Sequence, residues 1–317
     1  MKIKSIFYVV LGSFVLFGLY SCKSSHVAQS SLPLVTYSNS RSEVPWRRAL
    51  IKQLRMSLPS YIDVFRFQMK SAENNPLVQI NDLNTYIDEK PKVLMVSPTT
   101  PVIETALDRA YRNGIPIVML DNIVGNKYTT YVGADDYKIG QDVAKYMGKK
   151  LNGQGTILIM PGPKALAITQ LRMTGFDSIM KSAYPAIKVI VGPDSQYILQ
   201  NAWVNMDLIL QKKTPFDAVF ALNDQMALGV SSALEKAGTA KKIIVGIDGV
   251  SLSVMRAIKE GKIDSTFTYP LPGKKALELV LQILQGQPVQ KKYILPTMRL
   301  DAANVDQYVK DNPYLVE

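Results

Sequence analysis

Residues 216–229 read FDAVFALNDQMALG, a stretch in which a buried strand runs into a helix. The apolar run 218–222 has the length and composition of a strand that is covered on both faces of a sheet. Apolar residues with helical spacing follow over 224–236. Asn223 stands between the two segments. Because ligands of open α/β sheets bind beyond the carboxyl ends of the strands, Asn223 is a candidate ligand-binding residue.

The same alternation of short apolar runs and amphipathic segments extends in both directions. The runs VLMVS (93–97) and IPIVML (115–120) are typical of it, and helical segments of about 10–15 residues separate them. This pattern predicts parallel sheets covered on both faces. About ten such units exceed the roughly six strands of one doubly wound sheet. The sequence therefore predicts an α/β protein with two Rossmann-like lobes, with a TIM barrel as the alternative.

The first 21 residues have the pattern of an export signal. The basic start MKIKS precedes the apolar run IFYVVLGSFVLFGL at 6–19, which is typical of a secretory signal peptide, with a short anchor helix as the alternative. The stretch LYSC (19–22) also resembles the lipobox of bacterial lipoproteins and predicts lipidation at Cys22. The polar, Ser-rich residues 22–32 are expected to form a lipid-anchored flexible tether. We therefore expect an exported chain that is lipid-anchored to a membrane of the bacterial cell envelope.

Composition narrows the possible functions. The chain of 317 residues has 37 Lys and Arg against 26 Asp and Glu, for a formal net charge of +11. The basic residues are scattered in pairs such as Lys291-Lys292 and are not interleaved with stacking aromatics, so we expect no nucleic-acid partner. The sole His, His26, and the sole Cys, Cys22, lie near the predicted anchor. This placement excludes Ser-His-Asp, Cys-His and the common zinc chemistries from the folded body, and we expect no cofactor.

Polar residues stand at the tips of several predicted strands. Asp121, Asn223, Asp248 and Tyr269 each follow or end an apolar run, and no Gly-rich phosphate loop follows these runs. The lack of such a loop argues against nucleotide-driven chemistry. At the carboxyl edges of parallel sheets these side chains are expected to line one cleft. Their hydrogen-bonding groups and flat ring suit a small polyhydroxylated ligand.

Five stretches share the order and spacing of a known family. They are SPTTPVIETALDRAYRNGIPIVMLDN (97–122), QLRMTGF (170–176), FDAVFALNDQMALG (216–229), IIVGIDG (243–249) and ILPTMRLDAANVDQY (294–308). Together they resemble the type I periplasmic sugar-binding proteins of the ribose- and galactofuranose-binding kind, which share a fold with the ligand domains of LacI-type repressors. The similarity extends over almost the whole chain after the tether. The stretch VPWRRAL (44–50) resembles the galactofuranose-type branch in particular.

The resemblance implies two discontinuous lobes joined by a three-stranded hinge, with the ligand trapped between them. The expected lobes are an N-terminal one, 33–134 plus 270–296, and a C-terminal one, 135–269 plus 297–317. The expected crossovers lie near 132–135, 269–271 and 296–300.

The resemblance also implies which residues contact the ligand. Asn223 matches the Asn that hydrogen-bonds a sugar hydroxyl, with Asp224 left to cap the following helix; capping by Asn223 itself is the alternative. Trp203 is expected to stack on the sugar ring, and Arg172 to hold two adjacent oxygens with its planar fork. The complete expected set is Trp46, Arg47, Asp121, Asn122, Arg172, Trp203, Asn223, Asp248 and Tyr269. For the members other than Asn223, packing or a surface position is the alternative.

Three positions depart from the family pattern. Asn122 stands where the family often has Arg, Tyr269 where many relatives have Gln, and Leu171 where some relatives are acidic. The loss of the Arg removes a charge-assisted contact, and the Tyr narrows the cleft. These departures argue against a plain ribose or galactofuranose ligand and leave polyols, furanones and N-oxide solutes as alternatives to a sugar.

The sequence thus predicts a monomeric, non-enzymatic solute-binding receptor that closes on a small polyhydroxylated ligand, expected to be a monosaccharide, and presents it to an ABC permease. A sensing component that serves a sensor kinase is the main alternative. A carbohydrate-acting enzyme would need paired carboxylates, for which Asp121 and Asp248 are the strand-tip candidates. A LacI-type regulator would need an N-terminal helix-turn-helix. Residues 1–32 have the pattern of a signal and tether instead, which argues against such a regulator.

Overall fold

The computed structural model describes residues 31–317. The predicted signal peptide, Cys22 and nearly all of the predicted tether lie outside the described residues. None of the helices within 31–317 combines the length and the apolar character needed to cross a bilayer.

The first of two six-stranded sheets has the order β11-β5-β4-β3-β1-β2, and all of its pairings are parallel. Its strands are β1 (Leu34–Asn39), β2 (Arg66–Ser71), β3 (Val93–Val96), β4 (Ile117–Leu120), β5 (Thr130–Gly133) and β11 (Lys292–Ile294). Its helices are α1 (Pro45–Ser57), α2 (Pro76–Asp88), α3 (Glu104–Arg112) and α9 (Gly273–Leu284). The apolar runs of β3 and β4 are buried throughout, as strands covered on both faces should be.

The second sheet has the order β12-β10-β9-β8-β6-β7. Its strands are β6 (Gly155–Met160), β7 (Ile187–Val191), β8 (Ala218–Ala221), β9 (Ile243–Asp248), β10 (Ser265–Thr268) and β12 (Arg299–Leu300). The pairings are parallel except for β12, which runs antiparallel to β10. The accompanying helices are α4 (Asp136–Lys150), α5 (Ala167–Ala183), α6 (Leu199–Gln211), α7 (Asp224–Lys236), α8 (Leu252–Lys259) and α10 (Val305–Asp311).

The chain passes between the two sheets three times, after β5, after β10 and between β11 and β12. The predicted α/β fold with two parallel-sheet lobes is therefore confirmed, and the TIM barrel alternative is wrong, because the strands form two open sheets rather than one closed barrel. Each lobe combines segments that are distant in sequence, with β11 pairing in the first lobe and β12 in the second.

Several elements differ from the sequence-based expectation. The sequence pattern predicts a helix over 139–151. In the structure this helix, α4, begins at Asp136, because the Asp135 side chain caps it by accepting from the Lys138 N–H at 2.9 Å. Strand β5 lies within residues 122–136 (NIVGNKYTTYVGADD), where the sequence shows no clear apolar run and predicts an irregular segment. Strands β11 and β12 are only three and two residues long, which is too short to produce a periodic signal.

Close packing of α4 against α5 brings the side chain of Arg172 next to Asp136. A Cβ at Gly140 would lie 2.1 Å from the backbone oxygen of Arg172, and a Cβ at Gly175 would lie 2.0 Å from that of Tyr137. Glycine at both positions therefore lets the two helix backbones approach closely. As a result, Arg172 on α5 reaches Asp136 at the N-terminus of α4.

Candidate ligand site between the lobes

A cavity of about 430 Å³ lies where the carboxyl edges of the two sheets face each other. Its walls come from loops that follow β1, β2, β3 and β4 in the first lobe. Loops that follow β6, β7 and β8, together with the end of β9, form the opposite wall. This is where open parallel sheets place their ligands, and the volume is that of a small-molecule site.

Eight of the nine residues expected at the site line this cavity. They are Trp46, Arg47, Asp121, Asn122, Arg172, Asn223, Asp248 and Tyr269. The structure brings them together from α1, from four strand ends and from α5.

Trp203 lies elsewhere, so the expected stacking of Trp203 on a ligand is wrong. It is half-buried on α6, where the Lys236 ammonium of α7 lies 4.4 Å from its ring centroid. The aromatic side chain that lines the cavity from this region is Tyr197, whose hydroxyl lies 2.7 Å from the Thr169 hydroxyl. Tyr197 follows β7, so applying the strand-tip rule to that strand would have found it.

Asp121 is the centre of a hydrogen-bonded cluster in the first lobe. Its Oδ1 accepts from the Tyr269 hydroxyl at 2.7 Å, and its Oδ2 accepts from Asn122 Nδ2 at 3.0 Å and from Arg47 Nη2. The Asp121 backbone has a left-handed φ of +70°, and its carbonyl oxygen accepts from the Tyr131 hydroxyl at 2.8 Å. These contacts fix the direction in which the carboxylate faces the cavity.

Tyr269 connects the two lobes. Its backbone oxygen accepts from Trp46 Nε1 at 2.8 Å, and the two rings lie 5.3 Å apart. On the other side, the guanidinium of Arg172 lies 5.0 Å from the Tyr269 ring centroid. The Tyr269 side chain is buried, and burial together with the nearby Asp121 carboxylate raises its pKa well above the usual value. It therefore stays a hydroxyl donor.

Arg172 is held by buried partners in the second lobe. Its Nε donates to Asp136 Oδ1 at 2.8 Å, and its Nη1 donates to the Leu222 backbone oxygen at 2.5 Å. The side chain is only 1% exposed. Burial raises the pKa of Asp136 even though the Arg172 guanidinium opposes this shift. Asp136, which the sequence reading missed, is thus the residue that orients Arg172.

Asn223 caps α7. Its Oδ1 accepts from the Met226 N–H at 2.9 Å, while its Nδ2 donates to the Tyr197 backbone oxygen at 3.3 Å. The expectation that Asp224 would cap the helix is wrong, because Asn223 has the extended backbone of a cap, with φ −152° and ψ 170°, and Asp224 is already helical. Asn223 nevertheless lines the cavity.

Asp224 turns into the core beneath the cavity. Its carboxylate accepts from the Thr266 hydroxyl at 2.5 Å and from the Gly249 N–H at 2.8 Å. Burial raises the pKa of Asp224 to about 7. Burial and the neighbouring Asp224 carboxyl raise the pKa of Asp248 well above its usual value. A protonated Asp248 at the cavity wall can donate as well as accept a hydrogen bond.

Known proteins share this sequence pattern. Residues 35–288 match the family described as the periplasmic binding protein domain. The ribose import binding protein of Bacillus subtilis is 29% identical over 229 residues, which cover 71% of this chain and 73% of that protein. The xylitol-binding protein of Mycolicibacterium smegmatis is 27% identical over 248 residues, which cover 74% of this chain and 68% of that protein.

Solved structures share the fold. The fructose-binding periplasmic domain of a hybrid two-component system has a TM-score of 0.79 at 28% identity, covering 89% of this chain and 95% of that one. An ABC transporter solute-binding protein from Bacillus halodurans with bound myo-inositol has a TM-score of 0.80 at 24% identity, covering 87% of this chain and 96% of that one. With two parallel-sheet lobes around one cleft and a family match over most of its length, this chain belongs to the periplasmic binding protein domain family.

Proposed function

We propose that this chain is an exported solute-binding receptor that closes on a monosaccharide in the cleft and presents it to an ABC permease. The observation that carries the proposal is the cavity between the two lobes, lined from both sides by hydrogen-bonding side chains. The similarity to a ribose import binding protein supports a monosaccharide, and the similarity to a xylitol-binding protein supports the broader class of small polyhydroxylated solutes. The proposal assigns no chemical turnover to the site.

The chemistry of the walls suits hydroxyl groups. The Asp121 carboxylate accepts, the Arg172 guanidinium donates, and Asn223 does both. Trp46 and Tyr197 add flat apolar faces, against which the C–H groups of a sugar ring can pack. Because these groups come from both lobes, a ligand that contacts them all binds the closed arrangement more tightly and shifts the population toward it.

We further propose that Cys22 carries a lipid that holds the monomeric receptor at a membrane. A sensor kinase is the second candidate partner, favoured by the similarity to the fructose-binding domain of a two-component system. The two candidates share the ligand-binding step and differ in which protein recognises the closed form. Reconstitution with each partner distinguishes them, through ligand uptake in one case and kinase activity in the other.

A thermal-unfolding screen of the exported chain against pentoses, hexoses and polyols tests the ligand class. A ligand at about 100 times its Kd should add about 2.7 kcal/mol to the free energy of unfolding. For a protein of this size this corresponds to a rise in melting temperature of about 5–10 °C. No rise with any polyhydroxylated solute, from folded protein, would contradict the proposal.

A pair of cap variants tests the role of Asn223. Asn223→Ala and Asn75→Ala each remove an N-cap, since Asn75 accepts from the Leu77 and Val78 N–H groups at the start of α2. Each should lower the free energy of unfolding by about 1 kcal/mol. We expect only Asn223→Ala to weaken ligand binding, measured by calorimetric titration. Equal affinities in the two variants would show that Asn223 acts as a cap alone.

A further inference from the structure

The hinge end of the cavity is filled by the protein's own side chains. Tyr269 leaves β10 where the chain crosses between the lobes, and its side chain is 4% exposed. Its ring lies between Trp46 of the first lobe and Arg172 of the second. A ligand therefore has to lie farther out, toward the mouth of the cleft.

Several of the polar groups at this end bind one another. Both oxygens of the Asp121 carboxylate accept hydrogen bonds from protein donors, namely Arg47, Asn122 and Tyr269. Two nitrogens of Arg172 donate to buried protein acceptors. Nη2 of Arg172 and Nη1 of Arg47 are buried without an acceptor among residues 31–317 and remain free to donate to ligand hydroxyls. The hydroxylated part of a ligand is therefore expected to face this end, with its opposite edge toward the mouth.

Part of the outer wall is apolar, while polar side chains such as Arg41, Asn74 and Gln225 also line the cavity. Ile123, in the loop after β4, is 39% exposed, and Leu166, in the loop after β6, is 44% exposed. Both line the cavity, one from each lobe, together with Pro101, Ala167 and Ile168. Apolar side chains on two facing walls are stabilised when an apolar part of a ligand is buried between them. A ligand hydroxyl in the same place would lose its water without finding a partner.

We propose that the ligand is a polyhydroxylated solute with an apolar edge, of the deoxy-sugar class, whose deoxy or methyl edge packs between Ile123 and Leu166. Tyr269 determines this specificity because it closes the hinge end and moves the ligand toward the apolar mouth. The inference rests on the proposed function, since it assumes that a sugar-like solute binds in this cleft.

Calorimetric titration with sugar pairs that differ only at C6 tests the inference. The pairs are L-fucose with L-galactose, D-fucose with D-galactose, and L-rhamnose with L-mannose. In any pair that binds, we expect the deoxy sugar to bind at least about tenfold more tightly, since the added hydroxyl would be buried without a partner. Equal or tighter binding of the hydroxylated member overturns the inference and leaves the proposed function standing.

Two other outcomes are also decisive. If no pair binds while a fully hydroxylated solute does, the inference is overturned and the proposed function stands. If no polyhydroxylated solute binds at all, both are overturned.

Wall variants supply the matched control. Ile123→Asn and Leu166→Asn should each reduce the preference for the deoxy sugar several-fold. Leu171→Asn should leave it unchanged, because Leu171 is similarly exposed, at 45%, on α5 but lies outside the cavity. A preference that survives in both wall variants overturns the proposed contact.

A second, independent observation concerns residues 314–317, which we call the tail. The tail pairs with the second lobe, since the Val316 N–H donates to the Val250 oxygen at 3.1 Å and the Leu252 N–H donates to the Val316 oxygen at 2.7 Å. The Arg256 guanidinium also donates to both carboxylate oxygens of Glu317, at 3.0 and 2.7 Å.

The same tail is bound by the first lobe. From α1, Lys52 Nζ donates to the Leu315 backbone oxygen at 2.8 Å, and Arg48 Nη2 donates to the Glu317 backbone oxygen at 2.6 Å. Four residues therefore bridge α1 of one lobe and α8 of the other. We infer that the tail is a strap that restrains relative motion of the lobes, because a rotation that separates α1 from α8 would break the two α1 contacts.

Distance measurements between spin labels test the strap in ligand-free protein. The labels are placed at Glu89→Cys and Lys181→Cys, one on each lobe, with Cys22→Ser to remove the natural thiol. The double variant Arg48→Ala/Lys52→Ala should broaden the interlobe distance distribution. Arg55 is an exposed cation on the same helix that makes neither contact, so Arg55→Ala should leave the distance distribution unchanged. A distribution unchanged by the double variant overturns the inference.

Discussion

Replacement of Arg172 by Ala is expected to lower the free energy of unfolding by about 3–5 kcal/mol, because it leaves a buried carboxylate without its partner. Arg172 is 1% exposed and pairs with Asp136, which is 9% exposed. The variant also leaves the Leu222 carbonyl without the hydrogen bond from Nη1. The expected fall in melting temperature is on the order of 10 °C, and thermal and urea unfolding measure it.

Two variants show whether the buried charge is the cause. In Arg172→Ala/Asp136→Asn the unpaired carboxylate is gone, so the double variant should recover part of the stability lost in the single one. Lys181→Ala breaks a pair with Asp177 in which the side chains are 77% and 50% exposed, and such pairs contribute less than about 1 kcal/mol. A loss in Arg172→Ala as small as in Lys181→Ala would contradict the prediction.

The Arg172→Ala protein should also depend on pH in a defined way. Without the guanidinium, the buried Asp136 carboxyl should have a still higher pKa in the folded state than in the unfolded chain, where it is about 3.9. A folded-state pKa above the unfolded one gives stability at low pH that is lost as the pH rises. The stability difference between variant and wild type should therefore be smaller at pH 5 than at pH 8.

The wild-type protein is expected to lose stability as the pH rises from about 4 to 8, with Asp224 as a main cause. Burial raises the pKa of this carboxyl to about 7, against about 3.9 in an unfolded chain. The stabilisation from the protonated Asp224 carboxyl is fully present at pH values below the pKa in the unfolded state. It is lost as the pH rises through the pKa in the folded state. Between pH 4 and pH 8 the expected loss in the free energy of unfolding from Asp224 is about 4 kcal/mol. Urea unfolding at a series of pH values measures it.

Asp224→Asn isolates this contribution. The amide can keep both hydrogen bonds, with its oxygen accepting from the Gly249 N–H and its nitrogen donating to the Thr266 hydroxyl. The variant should therefore fold and show a flatter dependence of stability on pH. Some slope should remain, because the pKa of Asp248 and that of Asp136 are also raised. A slope equal to that of the wild type would contradict the assignment to Asp224.

The periodicity of apolar residues predicted the long strands and helices of both lobes, because each of these elements leaves a pattern in residues that are neighbours in sequence. It did not predict β5, β11 or β12. Positions at strand tips were predictable for the same reason, and Asp121, Asn223 and Asp248 follow from that rule. The rule also covers Tyr197, which stands after β7. Trp203 was misplaced because its side chain belongs to the α6 face that packs against α7. Which face of a helix meets a cleft depends on how that helix packs.

The sequence by itself determined the two-lobed α/β fold and the strand-tip residues Asp121, Asn223, Asp248 and Tyr269 as candidates for the cleft, since both depend on local patterns of apolar and polar residues. The tertiary structure alone decided which groups face the ligand and which bind one another. Asp121 meets Arg47 across 74 positions and Tyr269 across 148, and the hinge end is closed by this contact. Such pairings leave no local pattern, because they arise only when separate strands and helices are brought to one edge.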